Sequence, residues 1–288
     1  MISIVQLGTV DYAAGLRLQQ QLVALRKEDK VGDVLLLLEH SPVITLGRNA
    51  KAANVVASPK LLKKRGVELF ACDRGGDVTF HGPGQIVGYP IFDLRGFSTP
   101  EGKRKTLGVI EFVRRLEDAL MRTCADFGIP TKRVVGLTGV WTDSENSRSV
   151  DSRERFASES FPSARDDSRL RVQPAAEAKL AAIGVHVSRF VTSHGFALNV
   201  NTDLSYFNLI IPCGITSKPV TSMQRELGRE LDLNAVAQSI SRNFGGVFQS
   251  QVLWVETLDA LLGRAVGVPV KVPNELRQMH EKDDTARA

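Results

Sequence analysis

The sequence predicts an α+β fold built around one core, on three observations. Strand-like apolar runs come in hairpin-like pairs, helix-period segments are long and separate from them, and no internal repeat is visible. With 43% apolar residues among 288, the chain can bury a sizeable core.

Ile2 to Leu7 reads as a strand. Asp11 then opens a helix whose Ala14, Leu18, Leu22 and Leu25 share one face. Val34–Leu38 is a continuous apolar run, expected to be a strand covered on both faces. Pro42–Leu46 follows as a second short strand. Ser58 as N-cap, Pro59 at the first helical position and Gly66 as the stop mark a short helix. Val67–Cys72 and Gln85–Leu94 read as strands on either side of a glycine-rich stretch. Val109, Ile110, Val113, Leu116, Leu120 and Phe127 recur on a helical period from Thr106 to Phe127, and Gly128 to Pro130 closes that helix. Cys124, near its end, reads as a small core residue. Val134–Trp141 returns to strand. Leu180–Val185, His186–Val191 and Gly195–Val200 read as three successive strands, with bends near Gly184 and at His194-Gly195. Asp232 caps a helix to Phe248 with Val236, Ile240 and Phe244 inward, and a last short helix is expected over Leu258–Arg264.

Asp143 to about Ala176 is dominated by Ser, Arg, Asp and Glu. Such a stretch buries too little apolar surface to offset its ordering entropy, so it reads as a polar surface insertion. Residues 1–265 are then one domain carrying an insertion over 143–176, with 266–288 a charged, frayed tail. Deleting the insertion is expected to leave the chemistry nearly unchanged.

The net charge of +5 is modest and its positives scattered, with no basic block carrying interleaved aromatics. Nucleic acid is not an expected partner; steering of an acidic protein fits better. Cys72, Cys124 and Cys213 have no close pairing, which argues against a disulfide framework or a Cys-rich zinc site. The first residues lack a basic leader followed by an apolar core, and the longest apolar run is too short for a bilayer. A soluble, reducing, cytoplasmic setting is expected, with no membrane contact.

The stretch from Asp73 to Tyr89 places Arg74, Asp77 and His81 among the glycines at 75, 76, 82, 84 and 88. It reads either as a tight hairpin corner or as a pocket wall whose missing side chains leave room for something long and thin. Cys213, in a Pro-Cys-Gly loop, is either an inert thiol or a nucleophile with glycine permitting close approach of an acyl group. Lys179 is an ordinary solvated lysine unless it stands beside that cysteine, where it would take the thiol proton and stabilise the thiolate. Spacing alone does not bring them together, since they are 34 residues apart. A Cys–His pair using His81 or His194 stays open. His186 and His194 have no carboxylate at a metal-ligand spacing, and the glycines match neither a phosphate loop nor a dinucleotide fingerprint.

Arg74 to Gln85 (Arg-Gly-Gly-Asp-Val-Thr-Phe-His-Gly-Pro-Gly-Gln) closely resembles the signature of the lipoyl(octanoyl)transferases. Lys179–Val185, His194–Val200 and Ile211–Ile215 resemble three further segments of that family in the right order, and Gly139-Val140-Trp141 fits the strand before the insertion. The resemblance covers roughly Ile2 to Phe248, with Asp143–Ala176 departing from it. It implies a lipoate/biotin protein ligase-like fold, a larger mixed β-sheet and a smaller sheet packed with helices. It implies transfer of an octanoyl group from octanoyl-acyl carrier protein to a lysine of lipoyl domains, those of 2-oxoacid dehydrogenase complexes and the glycine cleavage H protein. Cys213 would form the acyl-thioester and Lys179 would ease its ionisation and shuttle protons. Arg74, Gly75, Gly76, Asp77, Val78, Thr79, Phe80 and His81, with Ala182, Ile183, Gly184, Gly195, Phe196 and Ala197, would line the acyl site. No cofactor, no metal and a monomeric enzyme are implied. Physically, the glycines at 75, 76, 184 and 195 would open an apolar slot, and N–H groups near Cys213 and Gly184 would serve a developing oxyanion. The competing readings are an ATP-dependent lipoate or biotin ligase on the same fold, and a catalytically silent lipoyl-domain-binding module.

Overall fold

The computed structural model describes residues 1–97, 106–143, 177–256 and 261. Strand β1 (Ile2–Val10) and strand β2 (Asp33–His40) run parallel, joined by helix α1 (Tyr12–Lys27). Asp11 starts that helix as expected: its Oδ1 accepts from Ala14 N at 3.1 Å. From β2 the main sheet continues antiparallel through β6 (Gln85–Ile91), β10 (Val191–Asn199), β9 (Lys179–Ser188), β8 (Leu137–Thr142) and β7 (Thr131–Val134). On its other edge β11 (Val252–Trp254) pairs parallel with β1. Among the described residues this is an eight-stranded mixed sheet.

Both faces of that sheet are covered, which is why β2 can be apolar throughout. Val34, Leu36 and Leu38 join the Ala14, Leu18 and Leu22 face of α1 in one cluster. Leu35 and Leu37 point the other way, towards helix α3 (Val109–Asp126) and helix α5 (Leu233–Phe248). Phe92, Phe112 and Phe248 meet there with ring centroids 5.3–6.1 Å apart. Cys124 lies in this cluster, and burial pushes its thiol up to about 12, consistent with a packing role.

A second sheet of three strands, among the described residues, stands apart: β3 (Val43–Leu46) between β4 (Glu68–Ala71) and β5 (Val78–His81). Helix α2 (Pro59–Lys64) closes it, capped by Ser58 as the sequence predicts. Its own apolar cluster holds Ile44, Leu62, Val78, Phe80, Leu209 and Ile210. The segment after β10 returns through that cluster before helix α4 (Met223–Leu227), so the main sheet and the small one are tied by the 204–215 region.

Two readings of the strands change. The three strands read between Leu180 and Val200 are two long ones, and their turn falls at Arg189 and Phe190, with φ of 50° and 67°. Gly184 and Gly195 sit mid-strand, opposite one another. The turn lacks the Asn-Gly usual for left-handed pairs; Leu94 N donates to Phe190 O at 2.9 Å and the Arg95 guanidinium lies 5.4 Å from the Phe190 ring. Val134–Trp141 is not one strand but the end of a hairpin, β7 to β8, turning at Val135 and Gly136. The insertion beyond Asp143, the tail, and all of the helix expected over Leu258–Arg264 except Leu261 lie outside the described residues.

Candidate active site

The turn Pro212–Gly214 holds Cys213 at φ 56°, ψ 17°, a left-handed conformation rarely adopted by a residue with a Cβ. Two contacts flank it. Ile211 N donates to Asn54 O at 2.7 Å, and Asp77, itself gripped by Asn54 Nδ2 and Lys51 N, stands where a Cβ on Gly214 would come within 2.9 Å of its Oδ2. Lys179 reaches the same point from the start of β9. Its Nζ donates to Cys213 Sγ at 3.2 Å and lies 5.0 Å from the Trp141 ring centroid. Backbone bonds from Lys179 N to Pro219 O and from Thr221 N to Lys179 O, 2.8 and 2.9 Å, link the lysine to the chain after the Pro212–Gly214 turn. That pairing removes the 34-residue separation which spacing could not resolve.

Below Lys179 and Cys213 a narrow pocket, with a cavity volume of about 50 Å³, opens between the main sheet's α1 face and the small sheet. Arg74, Gly75, Gly76, Asp77, Thr79 and His81 form one wall, and Ala182, Ile183, Gly184, Gly195, Phe196 and Ala197 the other, with Cys213 at the rim. Val78 and Phe80 do not line it. The pleat of β5 turns them into the small sheet's core, at 0% and 1% exposure, while Thr79 and His81 face the pocket. Tyr12, Val87, Tyr89 and His194 line it in addition.

The glycines do something other than leave a gap. A Cβ on Gly184 would meet Gly75 O at 2.6 Å, and one on Gly195 would meet Gly88 O at 2.1 Å. Their missing side chains are filled by neighbouring backbone, which brings the 74–76 segment down onto β9, where Gly75 N donates to Val185 O at 3.1 Å. That bond also fixes which amides are free. Val185 turns its polar groups away from β10, so by the alternation of an antiparallel ladder Ile183 does too, and Gly184 directs its own at Gly195. Ile183 thus turns its amide to the same edge of β9 as the bond to Gly75, away from β10.

His194 and His81 have other partners than Cys213. His194 Nε2 pairs with Asp73 Oδ1 at 2.7 Å, and His81 Nδ1 with Gln85 Oε1 at 2.8 Å. His186 stands 3.7 Å from the other Asp73 oxygen, and among the described residues no group of side chains is arranged to hold a metal ion. Arg74 Nη2 and Nε bond Thr45, tying the pocket roof to β3. Deeper in, Tyr89 hydroxyl and His40 Nε2 meet at 2.6 Å and His40 Nδ1 lies 2.7 Å from Val10 O.

A family profile described as "Lipoyl protein ligase A/B catalytic domain" matches residues 11–245. The chain is 55% identical over 283 residues to an octanoyltransferase of Koribacter versatilis, covering 98% of both chains. It is 50% identical over 264 residues to that of Acidobacterium capsulatum, covering 91% of this chain and 96% of the relative. The chain belongs to the octanoyltransferase family. Solved structures agree on the fold: the bipartite lipoate protein ligase of Thermoplasma acidophilum superposes with a TM-score of 0.60 at 13% identity, over 92% of this chain and 91% of the other. A lipoate-protein ligase A bound with ATP gives 0.57 at 13% identity, over 92% and 93%.

In this octanoyltransferase the buried histidines set an acid limit on stability. Burial lowers His40 to about 4 and His81 to about 3, from an ordinary 6.5, so both are neutral at pH 7. Their folded values lie below the unfolded one, so the unfolded chain binds more protons between about pH 3 and 6.5. Stability from this source is complete above that window and is lost as pH falls through it. Urea unfolding should show stability falling between about pH 6 and 4 with a slope approaching two protons, and His40→Gln should remove one of them.

Proposed function

We propose that this chain transfers an octanoyl group from octanoyl-acyl carrier protein to a specific lysine of lipoyl domains through a thioester on Cys213. The contact of Lys179 Nζ with Cys213 Sγ at 3.2 Å, at the rim of an apolar pocket, carries the reading. With the thiol proton on Lys179, the Cys213 thiolate attacks the carrier thioester carbonyl. The tetrahedral intermediate collapses with cleavage of the carrier's C–S bond, and the departing thiolate takes the proton from Lys179. The acceptor lysine, as a neutral amine, then attacks the Cys213 thioester. A C–N bond forms, the C–S bond breaks, and the amine's surplus proton passes to Lys179, restoring the starting pair. The donor is already an activated thioester, so the sequence of steps needs no ATP.

The oxyanion of each intermediate needs N–H donors, and the Ile183 amide, turned away from β10, is the strand's candidate. A carrier with an acidic surface fits the rim. Residues 48–65 hold six of the chain's Lys and Arg and no Asp or Glu, and Arg48, Lys51, Lys60, Lys63 and Lys64 are exposed there. The test is intact mass after incubation with octanoyl-carrier protein, followed by peptide mapping. One octanoyl group on Cys213, discharged by a lipoyl domain, is the expected result; an adduct elsewhere, or none, overturns the reading.

A further inference from the structure

We infer that a buried floor of Tyr12, His40, His81 and Tyr89 ends the acyl slot at about eight carbons and so sets the chain length this site accepts. The inference rests on the transferase reading and adds the property that reading leaves open.

The slot runs across the strands rather than along one. Ala197 on β10 pairs in register with Ala182 on β9 and with Val87 on β6, so three small side chains stand in a row on one face. Neighbouring strands lie about 4.8 Å apart, which makes β9 to β6 about 9.6 Å. A saturated chain with bonds near 1.5 Å rises roughly 1.25 Å per bond, so octanoyl spans about 9 Å from carbonyl carbon to methyl. Lys179, at the start of β9, holds Cys213 and with it the carbonyl end at the β9 side. The methyl end then arrives over β6.

There the lining on the main-sheet side changes from apolar to polar. Two residues past Val87, on the same face, Tyr89 bonds His40 at 2.6 Å. The Tyr12 ring lies parallel to His81 at 6.4 Å and edge-on to His40 at 5.1 Å. All four side chains are buried, and His40 is at 0% exposure. Within the slot each methylene adds about fourfold to binding. Past β6, added carbons must part a hydrogen-bonded network and strand a buried hydroxyl or imidazole. Preference should therefore step down between eight and ten carbons instead of tapering.

The experiment follows acylation of Cys213 by hexanoyl, octanoyl, decanoyl and dodecanoyl thioesters of N-acetylcysteamine, read by intact mass. Each enzyme is scored by its own ratio of kcat/KM values, so a variant that folds only in part still reports. The unsubstituted enzyme should prefer octanoyl to decanoyl by about tenfold or more. Tyr12→Ala should raise the decanoyl-to-octanoyl ratio by about tenfold, and Val87→Phe, narrowing the slot before the floor, should move preference to hexanoyl by a similar factor. Ratios unmoved by both substitutions, or dodecanoyl taken as well as octanoyl by the unsubstituted enzyme, overturn the floor while leaving the transferase reading intact. No adduct from any chain overturns both.

Discussion

Cys213→Ala abolishes octanoyl transfer, by about 10⁴-fold or more, while the chain stays folded. Removing a nucleophile from a covalent mechanism leaves only what binding and orientation supply, and losses of this size follow where the nucleophile acts as a unit with its base. Folding should survive because Cys213 sits in a half-buried turn and contributes to none of the three apolar clusters. The backbone sharpens the test. At φ 56° a Cβ is a liability, so Cys213→Gly should be equally inactive yet more stable by up to about 1 kcal/mol. Stability rising as activity vanishes, read by urea unfolding beside a transfer assay, would identify strain kept for function. A Cys213→Ala chain with more than about a tenth of the original rate would mean that the acyl group never rests on this residue.

Lys179→Met should slow both half-reactions by roughly 10³-fold, the second-largest effect expected, within the range typical of removing a positioned proton-transfer group. Methionine keeps the length that fills the space between Trp141 and Gly139, whose Cβ would already stand 3.0 Å from Lys179 Cε. It removes the ammonium that faces the sulfur at 3.2 Å. Rate should then recover in part as pH is raised, because hydroxide takes over removal of the thiol proton. Stopped-flow acylation and single-turnover transfer to a lipoyl domain, each across a pH series, separate the two steps. Acylation unaffected by the substitution would assign the thiol proton to another base.

Helices with strong periodicity and capping were legible residue by residue. Asp11, Ser58 and Asp232 each cap the helix the sequence assigns them, because a short acceptor side chain ahead of an apolar stripe has few other uses. The strand pairings were less so. The turn at Arg189 and Phe190 has no glycine or asparagine to announce it, since its left-handed residues are held by Leu94 and Arg95 from a distant part of the chain. The glycines at 184 and 195, which do look like turn signals, mark instead where two backbones touch.

At the site, residue types were readable and mutual placement was not. A cysteine and a lysine with no informative spacing are a candidate pair only through motif resemblance; in the fold Val220 pairs with Lys179. A contiguous motif includes Val78 and Phe80 with the pocket residues, although a strand shows only alternate residues to one side. Tyr12, Val87 and Tyr89 were missed because nothing in one sequence says that α1 and β6 meet the small sheet. His40 carried no signal of its own, though a histidine closing a continuous apolar strand is a pattern that invites a buried partner.

Thr142 and Ala178 clasp each other, Thr142 N donating to Ala178 O at 2.9 Å, Ala178 N to Thr142 Oγ1 at 3.0 Å and Thr142 Oγ1 to Ala178 O at 3.5 Å. This clasp makes the β8–β9 junction a port. Whatever the chain carries between Asp143 and Glu177 leaves and re-enters at fixed, adjacent positions, one residue before the lysine of the dyad. Lys179 is held from both sides of the port, by its pairing with Trp141 on β8 and by Pro219 and Thr221 downstream. A change in the length of that segment is thus expected to leave the Lys179–Cys213 distance in place.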